Sequence, residues 1–160
     1  VPKQEKRKIP TQLDDFASPT VNTYSLETTI AEKLDAILDL MEFSSRMKDY
    51  YDIYYLANKF DFDGATLTKA LQKTFENRGH SFTVEQFEQV LTFGNDDAMQ
   101  KKWKAFCKKI DTKTDDFNAV LRTIKKFLTE PYKAAVADIK YTKIWLANNN
   151  SWIQGGNDND

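Results

Sequence analysis

The chain has 160 residues, of which 29% are charged, and its formal net charge at pH 7 is −1. This balance argues against a general nucleic-acid binder, which carries a basic excess, and against a polybasic membrane tether. No stretch approaches the roughly 18 apolar residues of a membrane-spanning helix, no signal peptide is visible, and a single cysteine cannot form an internal disulfide, so we expect a cytoplasmic protein.

Both ends of the chain are predicted to lie outside the main domain. Pro10 and Pro19 discourage helix within residues 1–24, whereas Val21–Tyr24 alternates as a short strand does. Because the chain does not start with methionine, we expect residues 1–24 to be an extended leader or the remnant of a preceding domain, with an upstream segment missing. Residues 148–160 are mostly polar and are predicted to form a C-terminal tail.

Two amphipathic helices are predicted at the start of the helical domain, residues 25–147. Ser25 is suited to cap the first helix, which is expected to extend to about Glu42. The second helix is predicted from about Ser45 to Lys59. Each helix carries an apolar stripe at helical spacing, and the short break between them favours an antiparallel pair.

The rest of the domain is predicted to be a series of capped helices. Pro131 is expected either to end one helix or to start the next, and Tyr132–Trp145 is predicted to be helical. The sequence therefore predicts a mainly α fold, a multi-helix array of about six or seven helices with a short β remnant near the N-terminus. Four residues are predicted to open the later helices: Asp63, Thr83, Asp97 and Thr114.

One lysine and one aspartate fall beside the apolar faces of the first two helices. On a helical wheel, Lys33 lies at the edge of the first stripe and Asp49 beside the second, whereas Asp35 and Asp52 fall on the polar sides. A charge at the edge of a core costs free energy unless it is paired or functional. A Lys33–Asp49 salt bridge is the structural explanation. The functional one is a lysine aimed at a phosphate, with an aspartate that orients it or accepts a proton.

Other candidate residues have ordinary explanations. Arg46 and Lys48 add positive charge near the start of the second helix, which a solvated helix start also explains. His80, the only histidine, is predicted to lie exposed in a loop and cannot form a histidine metal site alone. Cys107 is predicted to be a buried apolar residue rather than a nucleophile. The basic run Lys101–Lys104 could contact RNA phosphates, but its acidic neighbours favour a solvated face with a core tryptophan.

Two short motifs carry a resemblance to a known family. The run Tyr24–Ala36 contains the letters AEKL, and Ser44–Ile53 contains SRMKDYYD. An AEKL helix followed by an SR.KD.YD helix is similar to the pattern of the AbiEii family, nucleotidyltransferase-like toxins of abortive-infection systems. The resemblance is specific over about residues 10–60 and general beyond them.

The resemblance implies that this chain is the C-terminal helical portion of a toxin that acts in phage defence. Family members place ahead of it a nucleotidyltransferase core with a Gly-Ser element and metal-binding carboxylates, whereas no glycine here is followed by serine. Magnesium and a nucleoside triphosphate are therefore expected for the parent protein, with no cofactor in this fragment, which is expected to be inactive alone. The expected partners are the upstream core and a cognate antitoxin; a nucleic-acid acceptor is left open, although the charge does not indicate one.

The resemblance also implies roles for five residues. Lys33 and Asp49 become candidate catalytic residues, Arg46, Lys48 and Asp52 candidate substrate-binding residues, and no metal ligand is expected. Lys33 would neutralise triphosphate charge, and Asp49 would position that lysine or help to activate an acceptor. The alternative is a non-catalytic interaction module that binds an antitoxin or another protein. Convergence of Lys33 and Asp49 on an open cleft would favour the enzyme, and a closed, buried pair would favour the module.

Overall fold

Helices make up most of the chain in the computed structural model, which describes residues 25–111, 113 and 115–155. The mainly α fold is therefore confirmed. The helices are α1 Leu26–Leu40, α2 Met47–Lys59, α3 Gly64–Asn77, α4 Val84–Leu91, α5 Asp97–Lys109 and α6 Phe117–Ala137. The short strands are β1 Phe62–Asp63, β2 Ile144–Leu146 and β3 Ser151–Ile153.

Three helix starts follow the capping residues predicted from the sequence, Ser25, Asp63 and Thr83. The Ser25 hydroxyl accepts a hydrogen bond from the Thr28 backbone N–H at 3.1 Å and caps α1. Asp63 caps α3 in the same way, and the capping box at Thr83 is present in α4. The last helix begins after Asp116, which caps it; the predicted start at 114 lies outside the described residues.

The longest helix contains a proline that does not break it. Pro131 lies inside α6, so the prediction that it separates two helices is wrong. A proline has no backbone N–H and therefore leaves the carbonyl four residues earlier, that of Phe127, without its helical donor. The indole Nε1–H of Trp152 donates to this carbonyl at 2.9 Å. A side chain from β3 thus replaces the missing backbone donor.

The small sheet joins the end of the chain to the middle of the fold. β1 pairs antiparallel with β2, and β2 with β3. The predicted helix Tyr132–Trp145 is therefore wrong beyond Ala137, because Ile144–Leu146 pairs as a strand and Asp138 ends the helix in a left-handed conformation. β3 lies within the segment predicted as a polar tail. The strand predicted at 21–24, within the leader 1–24, lies outside the described residues.

A buried tryptophan fastens this sheet to the helices. Trp145 on β2 is fully buried, and its Nε1–H donates to the Ala57 carbonyl of α2 at 2.7 Å. Its ring packs against Phe127 of α6 and Trp152 of β3, with centroid separations of 5.0 and 5.5 Å. The core lies among α1, α2, α3 and α6, which contact one another most extensively, and α4 and α5 pack around it.

Replacing the central tryptophan should strongly destabilise the fold. We expect Trp145→Ala to lower the free energy of unfolding by about 3–5 kcal/mol, because it removes a large buried ring and leaves a cavity. Urea denaturation measures the change. Phe43→Ala is the control, since Phe43 is 84% exposed, and should change stability by less than about 0.5 kcal/mol. Equal effects of the two substitutions would contradict this account of the core.

Candidate functional site

A lysine from α1 and two aspartates from α2 meet beneath the surface. Lys33 Nζ lies 3.6 Å from Asp49 Oδ1 and 3.1 Å from Asp52 Oδ2. The three side chains are 11%, 3% and 0% exposed, respectively. Both carboxylates are therefore almost withdrawn from water, and one ammonium group bridges them.

Two further cations surround this buried group. Arg46 Nε lies 3.1 Å from Asp49 Oδ2, and Lys48 Nζ lies 2.9 Å from Asp52 Oδ2. These side chains are 60% and 41% exposed, so they form an outer rim that solutes can reach. The structure thus brings together all five residues predicted for the site. We call Lys33, Arg46, Lys48, Asp49 and Asp52 the Lys33 cluster.

The connection between α1 and α2 determines the position of the rim residues Arg46 and Lys48. It runs through a short 3₁₀ turn, Met41–Phe43, and the Ser44 hydroxyl then accepts the Arg46 backbone N–H at 2.9 Å. Lys102 from α5 donates to the carbonyls of Glu42 and Ser44 at 3.1 and 2.8 Å. Lys102, from the basic run Lys101–Lys104, therefore holds this connection in place. Its neighbour Trp103 is buried, as the core-tryptophan explanation predicts.

Burial dominates the electrostatics of Asp49. It raises the pKa of this carboxyl above the ordinary value, even though the positive charges of Lys33 and Arg46 lower it; the negative charge of Asp52 raises it further. Asp49 Oδ2 lies near Arg46 but accepts no well-aligned hydrogen bond, and Asp52 Oδ1 has no hydrogen-bond partner among the described residues. The hydrogen bonds and positive charges around Asp49 and Asp52 therefore offset only part of the cost of burying these carboxylates.

Asp52 and Asp35 do not lie where the helical wheel predicts. Both were expected on polar faces, yet they are 0% and 1% exposed. The reason is that α2 is contacted by α1, α5 and α6, and α1 by α2, α3 and α4, so more than one face of each helix is covered. For Asp52, the family motif was the better signal, because its last letter is this aspartate.

The only histidine joins α1 to the loop after α3. His80 Nδ1 lies 2.9 Å from Asp35 Oδ2, and its Nε2 lies 3.6 Å from Asp39 Oδ1. His80 lies in a loop, as predicted, but its side chain is only 28% exposed and is therefore only partly solvent-facing. Arg78 approaches the same Asp35 carboxylate at 3.9 Å. These contacts compensate the buried Asp35 and fasten the loop to α1.

The described residues do not fit a magnesium site. Within that part of the chain, no group of three or more His, Cys, Asp or Glu side chains could hold a metal ion. Asp49 and Asp52 are paired with Lys33, Arg46 and Lys48 instead, and these positive charges oppose the binding of a metal cation. Burial raises the pKa of the partly buried Cys107 thiol, which disfavours a thiolate nucleophile there. The exposed rim cations, by contrast, fit an anionic group such as a triphosphate.

The sequence matches one family model over most of its length. The model describes the nucleotidyl transferase AbiEii toxin of a type IV toxin–antitoxin system, and it covers residues 1–129. The chain belongs to the AbiEii family. No curated protein and no solved structure matches it. The matched range of this AbiEii chain contains the whole Lys33 cluster and ends within α6, before β2 and β3. Across the described residues, no helix is long and apolar enough to cross a membrane.

Removing the bridging lysine should destabilise the AbiEii chain in a pH-dependent way. Lys33→Met leaves two buried carboxylates without their shared cation, which we expect to cost about 3 kcal/mol at pH 7. The loss should shrink toward pH 4, since protonation of a buried carboxyl removes the negative charge that Lys33 offsets. Urea unfolding at both pH values tests this. Arg46→Met is the control, with an expected loss below about 1 kcal/mol because that side chain is mostly exposed.

Neutralising Asp49 should change how stability depends on pH. A carboxyl whose pKa is raised by folding stabilises the native state below its unfolded value of about 3.9, and this contribution is lost as pH rises through the folded pKa. Asp49→Asn lacks the titrating group. Its stability relative to the original chain should therefore improve as pH rises from about 4 to 7. Chemical denaturation across that range measures the trend, and an opposite trend would show that pairing outweighs burial.

Proposed function

We propose that this chain is the C-terminal helical portion of an AbiEii-type nucleotidyltransferase toxin. In this proposal the Lys33 cluster contributes to a nucleoside-triphosphate site that a preceding core completes. The observation that carries the proposal is the convergence of Lys33, Arg46, Lys48, Asp49 and Asp52 from two helices. Three cations and two carboxylates leave a surplus of positive charge, and the exposed part of the cluster is entirely cationic.

The rim residues are proposed to bind the triphosphate. Arg46 is exposed, Lys48 is partly exposed, and both lie at the N-terminal end of α2. The dipole of a helix favours anions at its N-terminus, and guanidinium and ammonium groups form charge-assisted hydrogen bonds to phosphate oxygens. The charged end of each rim cation contacts a buried aspartate, so the cation is partly oriented before a ligand arrives.

We propose that the buried residues of the Lys33 cluster position its charged groups and assist nucleotide transfer. Lys33 adds positive charge behind the rim, and Asp49 and Asp52 fix its ammonium group from two sides. Asp49 has a second proposed role in activating an acceptor hydroxyl, since burial raises its pKa and so makes its carboxylate a stronger proton acceptor. In the complete protein, the proposed magnesium ligands belong to the preceding core.

The biological setting follows from the family. We propose that the complete protein acts in the cytoplasm in phage defence and that a cognate antitoxin counteracts it. The family description, a toxin of a type IV toxin–antitoxin system, supports this setting. The acceptor of the transferred nucleotide stays open, and nucleic acid is one class to include among the acceptors assayed.

The rim cations give the sharpest test, because they can be changed without emptying the core. In the complete protein, Arg46→Gln and Lys48→Gln should each raise the KM for the nucleoside triphosphate about tenfold, since each removes a charged phosphate contact. The reaction is followed by transfer of a labelled nucleotide. Lys59→Gln is the matched control: this lysine is exposed at the other end of α2 and should leave KM unchanged.

The interaction-module alternative also has an observation in its favour. Lys33, Asp49 and Asp52 form a buried, mutually paired group, as expected of a structural ion-pair network. This is the closed pair that the sequence pattern predicts for the module, so the enzyme proposal rests on the outer cations of the rim. Under this alternative, Arg46→Gln and Lys48→Gln leave nucleotide transfer at the level of the Lys59→Gln control. Loss of antitoxin binding in the same rim variants, with transfer unchanged, would establish the module in place of the enzyme site.

A further inference from the structure

A groove between α4 and α6 lies apart from the Lys33 cluster and shares no residue with it. Its volume is about 410 Å³. It lies in the size range of ligand-binding clefts. Its lining consists of Phe87, Glu88, Leu91, Thr92, Asn118, Leu121, Arg122, Lys125, Thr129 and Lys133.

One wall of the groove is a row of cations. Arg122, Lys125 and Lys133 are exposed on α6, and their spacing of three and eight residues places them on one helical face, spread over about 16 Å. In the described part of the chain, no acidic side chain forms an ion pair with any of them. Glu88 is the single carboxylate in the lining. The groove is therefore a locally basic surface on a chain whose net charge is −1.

The floor of the groove is apolar. Phe87 and Leu121 are 1% and 3% exposed, and the partly buried Leu91 lies beside them. Phe87 is the only aromatic residue in the lining, and it is 1% exposed, so it presents no face to a nucleic-acid base. An apolar floor beside unpaired cations fits an amphipathic peptide with carboxylates better than a phosphate backbone, which has no apolar side to bury.

We propose that the α4–α6 groove binds an acidic, amphipathic segment of a protein partner. Apolar side chains of that segment pack on the partly exposed Leu91, and its carboxylates pair with Arg122, Lys125 and Lys133. Charge complementarity speeds association and sets the register, and burial of the apolar side chains adds affinity. The inference does not depend on the nucleotide site.

The probe is a fluorescein-labelled helical peptide of about 18 residues, with Leu at helical spacing on one face and Glu elsewhere. Its affinity for the 160-residue chain is measured by fluorescence anisotropy. Lys125→Glu should weaken binding at least about tenfold, because it replaces an attraction by a repulsion. Lys126→Glu is the matched control, since Lys126 is the exposed next residue and does not line the groove; its effect should stay below about twofold.

A second variant tests the apolar floor without changing charge. Leu91→Ala should weaken peptide binding about threefold to tenfold through lost apolar contact. Thermal unfolding followed by circular dichroism identifies any variant that has lost its fold, and such a variant is replaced by Arg122→Gln. Absence of peptide binding, or equal losses for Lys125→Glu and Lys126→Glu, overturns the proposal. Tighter binding of a single-stranded RNA of equal charge, lost in Lys125→Glu, would assign the groove to nucleic acid instead.

Discussion

The bridge from Lys33 to Asp49 and Asp52 is the interaction on which the candidate site depends. Two carboxylates so deeply buried would separate α1 from α2, or take up protons, unless a cation lay between them. The ammonium of Lys33 fills that position at 3.6 and 3.1 Å. The same carboxylates also pair with Arg46 and Lys48. The bridge therefore determines where the cations of the rim lie.

Elements from several parts of the chain hold α2 in place. α2 is packed by α1, α5 and α6, and its far end accepts the Trp145 indole hydrogen bond at Ala57. At its near end, Lys102 holds the carbonyls of the α1–α2 connection. Both ends are therefore fixed by elements distant in sequence. A rigid support of this kind keeps charged side chains oriented before a ligand binds, which is how a binding site avoids part of the cost of ordering.

The proposed functions occupy different parts of the molecule. The Lys33 cluster lies between α1 and α2, and the basic groove lies between α4 and α6. α6 supports both regions: it packs against α2 and carries the cationic wall of the groove. Its continuity past Pro131 depends on the Trp152 indole, which satisfies the carbonyl that the proline leaves without a donor. The C-terminal strands thus complete a helix that both regions use.

The sequence alone determined the features that depend on near neighbours in the chain. The caps at Ser25, Asp63 and Thr83 join residues three apart, and the motifs singled out Lys33 and Asp49. Tertiary structure decided the burial of Asp52 and Asp35, the pairing of Ile144–Leu146 as a strand and the path of α6 through Pro131. The physical reason is the distance along the chain over which each contact acts. A cap closes within one helical turn, whereas the Trp145–Ala57 hydrogen bond joins residues 88 apart. Whether a second face of a helix is buried depends on which other elements pack against it.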